Sequence, residues 1–536
     1  MRSVVHTSLH MAIIVVFAPG TSFSQMASKP GLLEPTGRIV EMKMTIMASH
    51  WQLAKWNDGS LVCDLHLKHE DWPTPNDIWD ACGYPVLEEW VSTPACTEAV
   101  IGRSTKACNG LFLKYIGKTP ITIIEIVELP EIVVQILPVN CNTGEWCLTR
   151  PVIELQAYEP LAGYQINTVQ VRLGGRETTF TEKNRRFNLP LTDEKGAWLE
   201  YWADSTYGDR SELFRVKYRN VVSDDGSSFH FDLLGYEWNQ KAASGAALWN
   251  LFPPVDGSLP PALVQPDSVY ELRTQKSYLY LAGHLVQTGD IETSNCLDGG
   301  INLSGAATPC GERAGFSQVV DWQNRYDSSI LDAALKYNIP ARVLKNIIAQ
   351  ESQFWPTSDD PFEKGLGYLT SDGVDMLLMW NLDYFLEMCI PDFGKNACAS
   401  GYSHLSDIQK ALLRKRVLDK IGTNEEVDVL AAVLLASATQ SGQLVQNTTR
   451  QEPSGATTYV DMWKIAVANY YTGSGCMGNA IENVVANEEP LSWKGVVPHL
   501  PEKCKLAEMY VEKIINDPWD RPIPDIVISH YLKMFE

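Results

Sequence analysis

The sequence predicts a multidomain chain in which β-domains come first and an all-α domain comes last. Three observations predict it. The 536 residues leave room for about three domains of ~100–200 residues each. Apolar residues alternate with a period of two in the first half, then switch to helical spacing from about residue 316. The 12 cysteines all follow the N-terminal apolar run and fall in close sequence neighbours, the pattern of disulfide-stapled exported domains.

Residues 1–24 combine Arg2, an apolar run from Met11 to Ala18, and the small residues Ser22 and Ser24. This pattern is expected for a secretory signal, and the run is shorter than the ~20 helical residues a bilayer needs. Residues 25–149 are rich in cysteine, tryptophan and proline, with strand-like runs such as "RIVEMKMTIMA" between turn clusters, and are expected to form a disulfide-stapled β-rich domain. The run "ITIIEIVELPEIVVQILPV" carries three glutamates and two prolines, so it reads as strands rather than a membrane span. Neighbour pairing would join Cys63 to Cys82, Cys96 to Cys108, Cys141 to Cys147, Cys296 to Cys310, Cys389 to Cys398 and Cys476 to Cys504, although spacing alone does not fix connectivity.

Residues 150–222 show cleaner alternation. "INTVQVRL" sets Val169, Val171 and Leu173 on one face; "AWLEYWADS" does the same with Leu199, Tyr201 and Ala203, and "ELFRVKYRNV" with Phe214, Val216 and Tyr218. This is the pattern of an antiparallel sandwich, and it resembles an immunoglobulin-like module. Residues 223–315 contain "LFPPVDGSLPPALVQP" and are expected to be a proline-rich connector and collar. Residues 316–536 hold the helical runs, among them "DSSILDAALKYNIP", "EVDVLAAVLLASAT" and "YVDMWKIAVANYY".

Charge narrows the function. With 44 Lys+Arg against 65 Asp+Glu, the formal net charge is −21, which repels phosphate backbones and speaks against nucleic acid as a partner. The spacing Gly473, Gly475, Gly478 matches GxGxxG, but helical sequence rather than a strand precedes it, so no dinucleotide site is expected. No serine-hydrolase elbow, zincin or P-loop pattern occurs, and no cofactor or metal is expected.

One residue breaks its own pattern. In "IPARVLKNIIAQESQFWP", Val343, Leu344, Ile347 and Ile348 form an apolar stripe, and Glu351 falls near the middle of it, seven residues after Leu344 and four after Ile347. Phe354 and Trp355 follow at once, and Pro356 stops the helix. A carboxyl held among apolar groups keeps its proton to higher pH, the property a general acid needs.

The stretch from Ala334 to Leu377 resembles the SLT domain of lytic transglycosylases, a lysozyme-like family acting on peptidoglycan. That family has a helix ending in Glu-Ser, then a Gly-Leu-Met-Gln-like turn, then a late Tyr-Asn-Ala-Gly motif. Here Glu351-Ser352 stands at the first, "GLGYLT" (Gly365 to Thr370) at the second and "ANYYTGSG" (Ala468 to Gly475) at the third. The family glutamine falls on Tyr368 and the family asparagine on Tyr471, while Tyr470 matches its tyrosine.

The resemblance implies a lysozyme-like fold for residues 316–536, with Glu351 as a single general acid/base. Ser352, Phe354, Gly367, Tyr368, Tyr470 and Tyr471 would line a glycan groove. It implies an exported enzyme of the cell envelope that cleaves the MurNAc–GlcNAc bond and leaves 1,6-anhydro ends. The partners would be peptidoglycan strands, with the β-domains placing the chain on the wall or against envelope proteins. The alternatives are a non-catalytic cell-wall glycan-binding or scaffolding protein with a degenerate SLT domain, and a lysozyme-type hydrolase using Asp359, Asp360 or Glu363 as second carboxylate.

Overall fold

The computed structural model describes residues 38–94, 96–235, 246–357 and 362–516. The expected signal segment, 1–24, and loop residues Asp359 and Asp360 lie outside them. The described residues form two compact units, divided between Glu131 and Ile132.

In the first unit, three antiparallel strands stand in the order β2-β1-β3: β1 (Ile39–Lys55), β2 (Leu61–Leu67) and β3 (Leu111–Glu128). Between β2 and β3 the chain makes α1 (Pro75–Cys82), α2 (Tyr84–Val91) and the single turn α3 (Thr97–Val100), so this unit is β-rich with helices rather than all-β. Thr74 and Asp77 form a reciprocal cap that starts α1, and Ile78 on that helix packs with Trp51, Leu53 and Leu65. Disulfides Cys63–Cys82 and Cys96–Cys108 fasten the helical segment to itself and to β2.

The second unit opens with two packed sheets. One holds β4 (Val133–Pro138), β6 (Val152–Tyr158) and β9 (Asn184–Asn188), in the order β4-β6-β9. The other runs β5-β12-β11-β10-β7-β8, from β5 (Glu145–Cys147), β7 (Ile166–Leu173), β8 (Arg176–Phe180), β10 (Ala197–Ser205), β11 (Phe214–Val222) and β12 (Phe229–Gly235). Val134, Ile136, Leu155, Val169, Val171, Leu199, Tyr201, Val216 and Tyr218 are buried between them, so the predicted inward faces are the core.

The predicted boundaries at 149 and 222 need correction. β4 and β5 precede residue 150 but belong to the sandwich, and β12 follows residue 222 and extends its sheet. The break falls instead between Glu131 and Ile132. Cysteine and proline density misleads here, because Cys141–Cys147 staples β5 while β5 is already paired to β12.

The alternate face of β11 is covered in part: Lys217 and Arg219 are buried, while Arg215 is exposed. Lys217 Nζ donates to Asn250 O (2.9 Å), Phe252 lies against Lys217 and Arg219, and Arg219 pairs with Asp232 at 2.7 Å. The segment from Ala246 onward is therefore packing, not linker. Trp249, Phe252, Ala262, Leu263 and Leu272 join the helical core, so of the connector and collar expected at 223–315 these residues fit the collar and correct the connector.

The helical region contains α4 (Ala246–Trp249), α5 (Leu279–Gln287), α6 (Pro309–Asn324), α7 (Asp327–Tyr337), α8 (Ala341–Ser352), α9 (Ser371–Trp380), α10 (Leu382–Cys398), α11 (Asp407–Leu418) and α12 (Glu426–Thr449). It continues with α13 (Pro453–Ala456), α14 (Tyr459–Thr472), α15 (Ser474–Ala486), α16 (Trp493–Val496) and α17 (Leu506–Val511). The first long helix, α6, begins at Pro309 behind a Thr308 cap, seven residues before the predicted start at 316. α12 is long and apolar enough to cross a membrane, yet here it is the axis of the fold. Its Leu430, Ala431, Leu434 and Ala438 enter one core, and its Val429, Ala432, Val433 and Ala436 enter a second with α9, α10 and α11.

The other disulfides are Cys296–Cys310, Cys389–Cys398 and Cys476–Cys504. All twelve cysteines are thus bonded, which suits an oxidising, extracytoplasmic environment.

Candidate active site

The site is built on α8. Its apolar stripe is buried as the spacing predicts, with Val343, Leu344, Ile347 and Ile348 in the core. The helix is also pinned from two sides by polar bonds. Lys345, 1% exposed, donates to Leu272 O (2.7 Å), Asn324 Oδ1 (2.9 Å) and Asp327 Oδ1 (2.5 Å). Asn346 donates to Ile514 O (2.8 Å), tying α8 to the turn that follows α17.

That second tie sets the partner of the carboxyl. Tyr510 on α17 donates its hydroxyl to Glu351 Oε1 at 2.6 Å. Glu351 is half-buried by exposed area, but protein surrounds its carboxyl closely. Desolvation is the largest influence and pushes its pKa up to about 7. The Tyr510 hydrogen bond opposes this rise, and the neighbouring charge of Glu363 adds to it.

Three tyrosines gather at this acid. Burial holds Tyr470 and Tyr510 far above the ordinary phenol range, with the charge of Glu351 adding to the effect, so both remain protonated donors. The Tyr471 ring stacks on Tyr510 with centroids 4.3 Å apart and planes 15° from parallel. Tyr470 donates its hydroxyl to Gly367 O (3.3 Å), which joins the late motif to the glycine turn. Asn469, one residue earlier, is fully buried and anchors α14 to α12 through Ser437 O (3.2 Å) and Gln440 Oε1 (2.9 Å).

The turn itself is fastened from below. The buried carboxylate of Glu426 accepts from Leu366 N and from Gly422 N (3.0 Å). Lys364 and Leu369 close the turn with a pair of backbone bonds (3.1 and 2.8 Å). Gly365 has φ +70°, and a Cβ there would collide with Glu426 Oε1 and Ile421 Cγ2. A Cβ on Gly367 would collide with Leu430. Gly365→Ala is accordingly expected to lower stability by at least about 1–2 kcal/mol from the left-handed backbone alone, read from the urea midpoint. Tyr368 also sits at positive φ (+47°), half-buried, with its N–H on Gly365 O (3.2 Å).

Two expected groove residues are placed elsewhere. Ser352 is buried and its hydroxyl donates back to Ile348 O (3.1 Å) inside α8. Phe354 is fully buried, edge-on to Tyr278 at 5.6 Å, so it is a core residue rather than part of a glycan surface. The cause is the chain reversal after the helix. Gln353 (φ +47°) and Phe354 (φ +65°) are consecutive left-handed residues, a strained arrangement of the kind that clusters at functional sites. Gln353 offsets this by accepting from Tyr280 N (2.9 Å) at the start of α5. Trp322 Nε1 donates to Phe354 O (2.9 Å).

Sequence reasoning missed Tyr510, Glu426, and a stacked row in which His284 and Trp322 flank Trp355 at 4.8 and 5.3 Å. No local pattern points to Tyr510, which lies 159 residues from its partner. Cys296, Asp298 and Cys310 are the one group of metal-type side chains among the described residues, and both thiols are in a disulfide. No protein-family model matches the chain, and no curated protein matches it.

Proposed function

We propose that the chain is an exported lytic transglycosylase of peptidoglycan, with an immunoglobulin-like sandwich ahead of a lysozyme-like helical domain. The observation that carries this reading is Glu351. It is a carboxyl at the end of an apolar helix, proton-bearing near neutrality and surrounded by tyrosines. Its proton passes to the oxygen bridging MurNAc C1 and GlcNAc O4, and the C1–O bond breaks. The carboxylate then takes the proton of the muramoyl 6-hydroxyl, whose oxygen closes on C1. The product is a 1,6-anhydro end, with no water consumed.

Tyr470 and Tyr471 bound the space beside the acid, and Tyr368 stands in the turn to which Tyr470 is bonded. Glu363 supports proton retention by its charge. The decisive test is mass analysis of digested sacculi: anhydro-muramoyl ends support the reading, reducing ends indicate a hydrolase, and absence of soluble fragments overturns it. A binding protein without turnover is favoured by one observation, since Tyr510 already occupies one carboxyl oxygen of Glu351. That reading expects sacculus binding with no release.

Tyr510→Phe separates the roles. Its hydroxyl favours the charged carboxyl, so removing it is expected to raise the Glu351 pKa further and move the alkaline limb of the rate profile upward. A pH–rate profile of the purified variant reads this directly. An unmoved limb would detach Tyr510 from proton control.

A further inference from the structure

The sandwich has a groove of its own. It encloses about 590 Å³ on the outer face of the β4-β6-β9 sheet, beside the turn that leads into β7. Such a volume is in the range of small-molecule and oligosaccharide sites. Register explains its lining. Gln135 pairs with Gln156, and Gln156 pairs with Asn184, so three amides stand in one row across three strands. Neighbouring strands are ~4.8 Å apart, which spaces the amides at about the length of one pyranose.

Tyr158 follows Gln156 by two residues on the same face and is 64% exposed; Tyr164, from the turn, is 45% exposed and braced edge-on by Tyr207 at 4.9 Å. The charged side chains lining the groove, Glu159 and Lys183, are opposite in sign. The nearest charged pair on the same face, Glu154 and Arg186, is bonded at 2.6 Å, and the other oxygen of Glu154 accepts from Gln156 Nε2 (3.1 Å), which fixes the middle amide of the row.

This chemistry selects a ligand class. Amides both donate and accept, matching hydroxyl and acetamido groups that do the same. Exposed tyrosine rings offer flat apolar faces to the C–H side of a sugar. A groove without net charge does not recruit phosphate or polyanions. The amides of Gln135 and Asn184 make no bond to other side chains among the described residues, so their donors and acceptors are open to a ligand.

We infer that the outer face of the β4-β6-β9 sheet is a binding site for an uncharged pyranose chain, holding the wall polymer independently of Glu351. The choice of polymer rests on the function proposed above; the site itself rests on the groove.

The test uses the full chain carrying Glu351→Gln, with the β-1,4-linked tetramer of N-acetylglucosamine as soluble probe and sacculi as insoluble one. Hydrogen exchange with the tetramer is expected to slow in residues 156–166. Adding Tyr158→Ala, or Gln135→Ala with Asn184→Ala, is expected to weaken sacculus binding at least tenfold and to erase that protection, with the melting temperature unchanged. Protection confined to residues around 351, or full sacculus binding by both variants, would overturn the site. Failure of the catalytic reading shows separately, as absence of released fragments from the unsubstituted chain.

Discussion

Glu351→Gln is expected to lower the release of anhydro-muropeptides by about 10²–10⁴-fold, the usual contribution of a positioned general acid/base. The amide keeps the shape of the carboxyl and can still accept from Tyr510, but it has no proton to give. In the unsubstituted protein the rate is expected to fall as pH rises through about 7, because only the protonated acid can start the reaction. Stability should share this dependence. The folded protein holds a proton on Glu351 that the unfolded chain releases near the ordinary carboxylate value of 4.5, so stability declines as pH rises from there to about 7. Glu351→Gln removes that part of the decline. Thermal unfolding of both proteins between pH 5 and pH 8 checks the sign, and parallel curves would show that the acid is solvated. Undiminished release by the variant would take Glu351 out of the mechanism.

Asp327→Ala is expected to cost about 3–5 kcal/mol, the range for removing one member of a buried ion pair. Lys345 and Asp327 are both sealed from water, and burial lowers the Lys345 pKa to about 8 while raising that of Asp327. Each charge is tolerated because the other is at 2.5 Å. Without Asp327, Lys345 keeps only two neutral acceptors, Leu272 O and Asn324 Oδ1. Lys345 lies on α8 with Glu351, and Asp327 ties that helix to α7, so activity should fall with stability. Denaturant unfolding measures the first and sacculus digestion the second. A change below about 1 kcal/mol would mean that water reaches Lys345.

Much of this architecture is legible in local pattern. Alternation marked Val169, Val171, Leu199 and Tyr201 as inward-facing, and they are buried. Helical spacing alone sets Glu351 on the apolar side of α8, because that inference needs only 100° per residue. Neighbouring cysteines do pair, since each short loop returns the chain to itself. The rest depends on contacts between distant segments. Lys217 and Arg219 look solvent-facing until Phe252 covers them. Phe354 looks like a groove residue until two left-handed residues turn it inward. Tyr510 and Glu426 enter the site from helices whose local sequence gives no sign of it.

One consequence follows from α12 serving two cores at once. A rod packed on opposite sides cannot release one lobe while retaining the other, so the helical region is expected to melt in a single step. The proposed polymer is therefore not expected to be admitted by the lobes swinging apart. Under the function proposed above, entry is expected to come from rearrangement of side chains and connecting loops over a stationary frame, and the speed of that local rearrangement would bound how fast successive cuts occur along one strand.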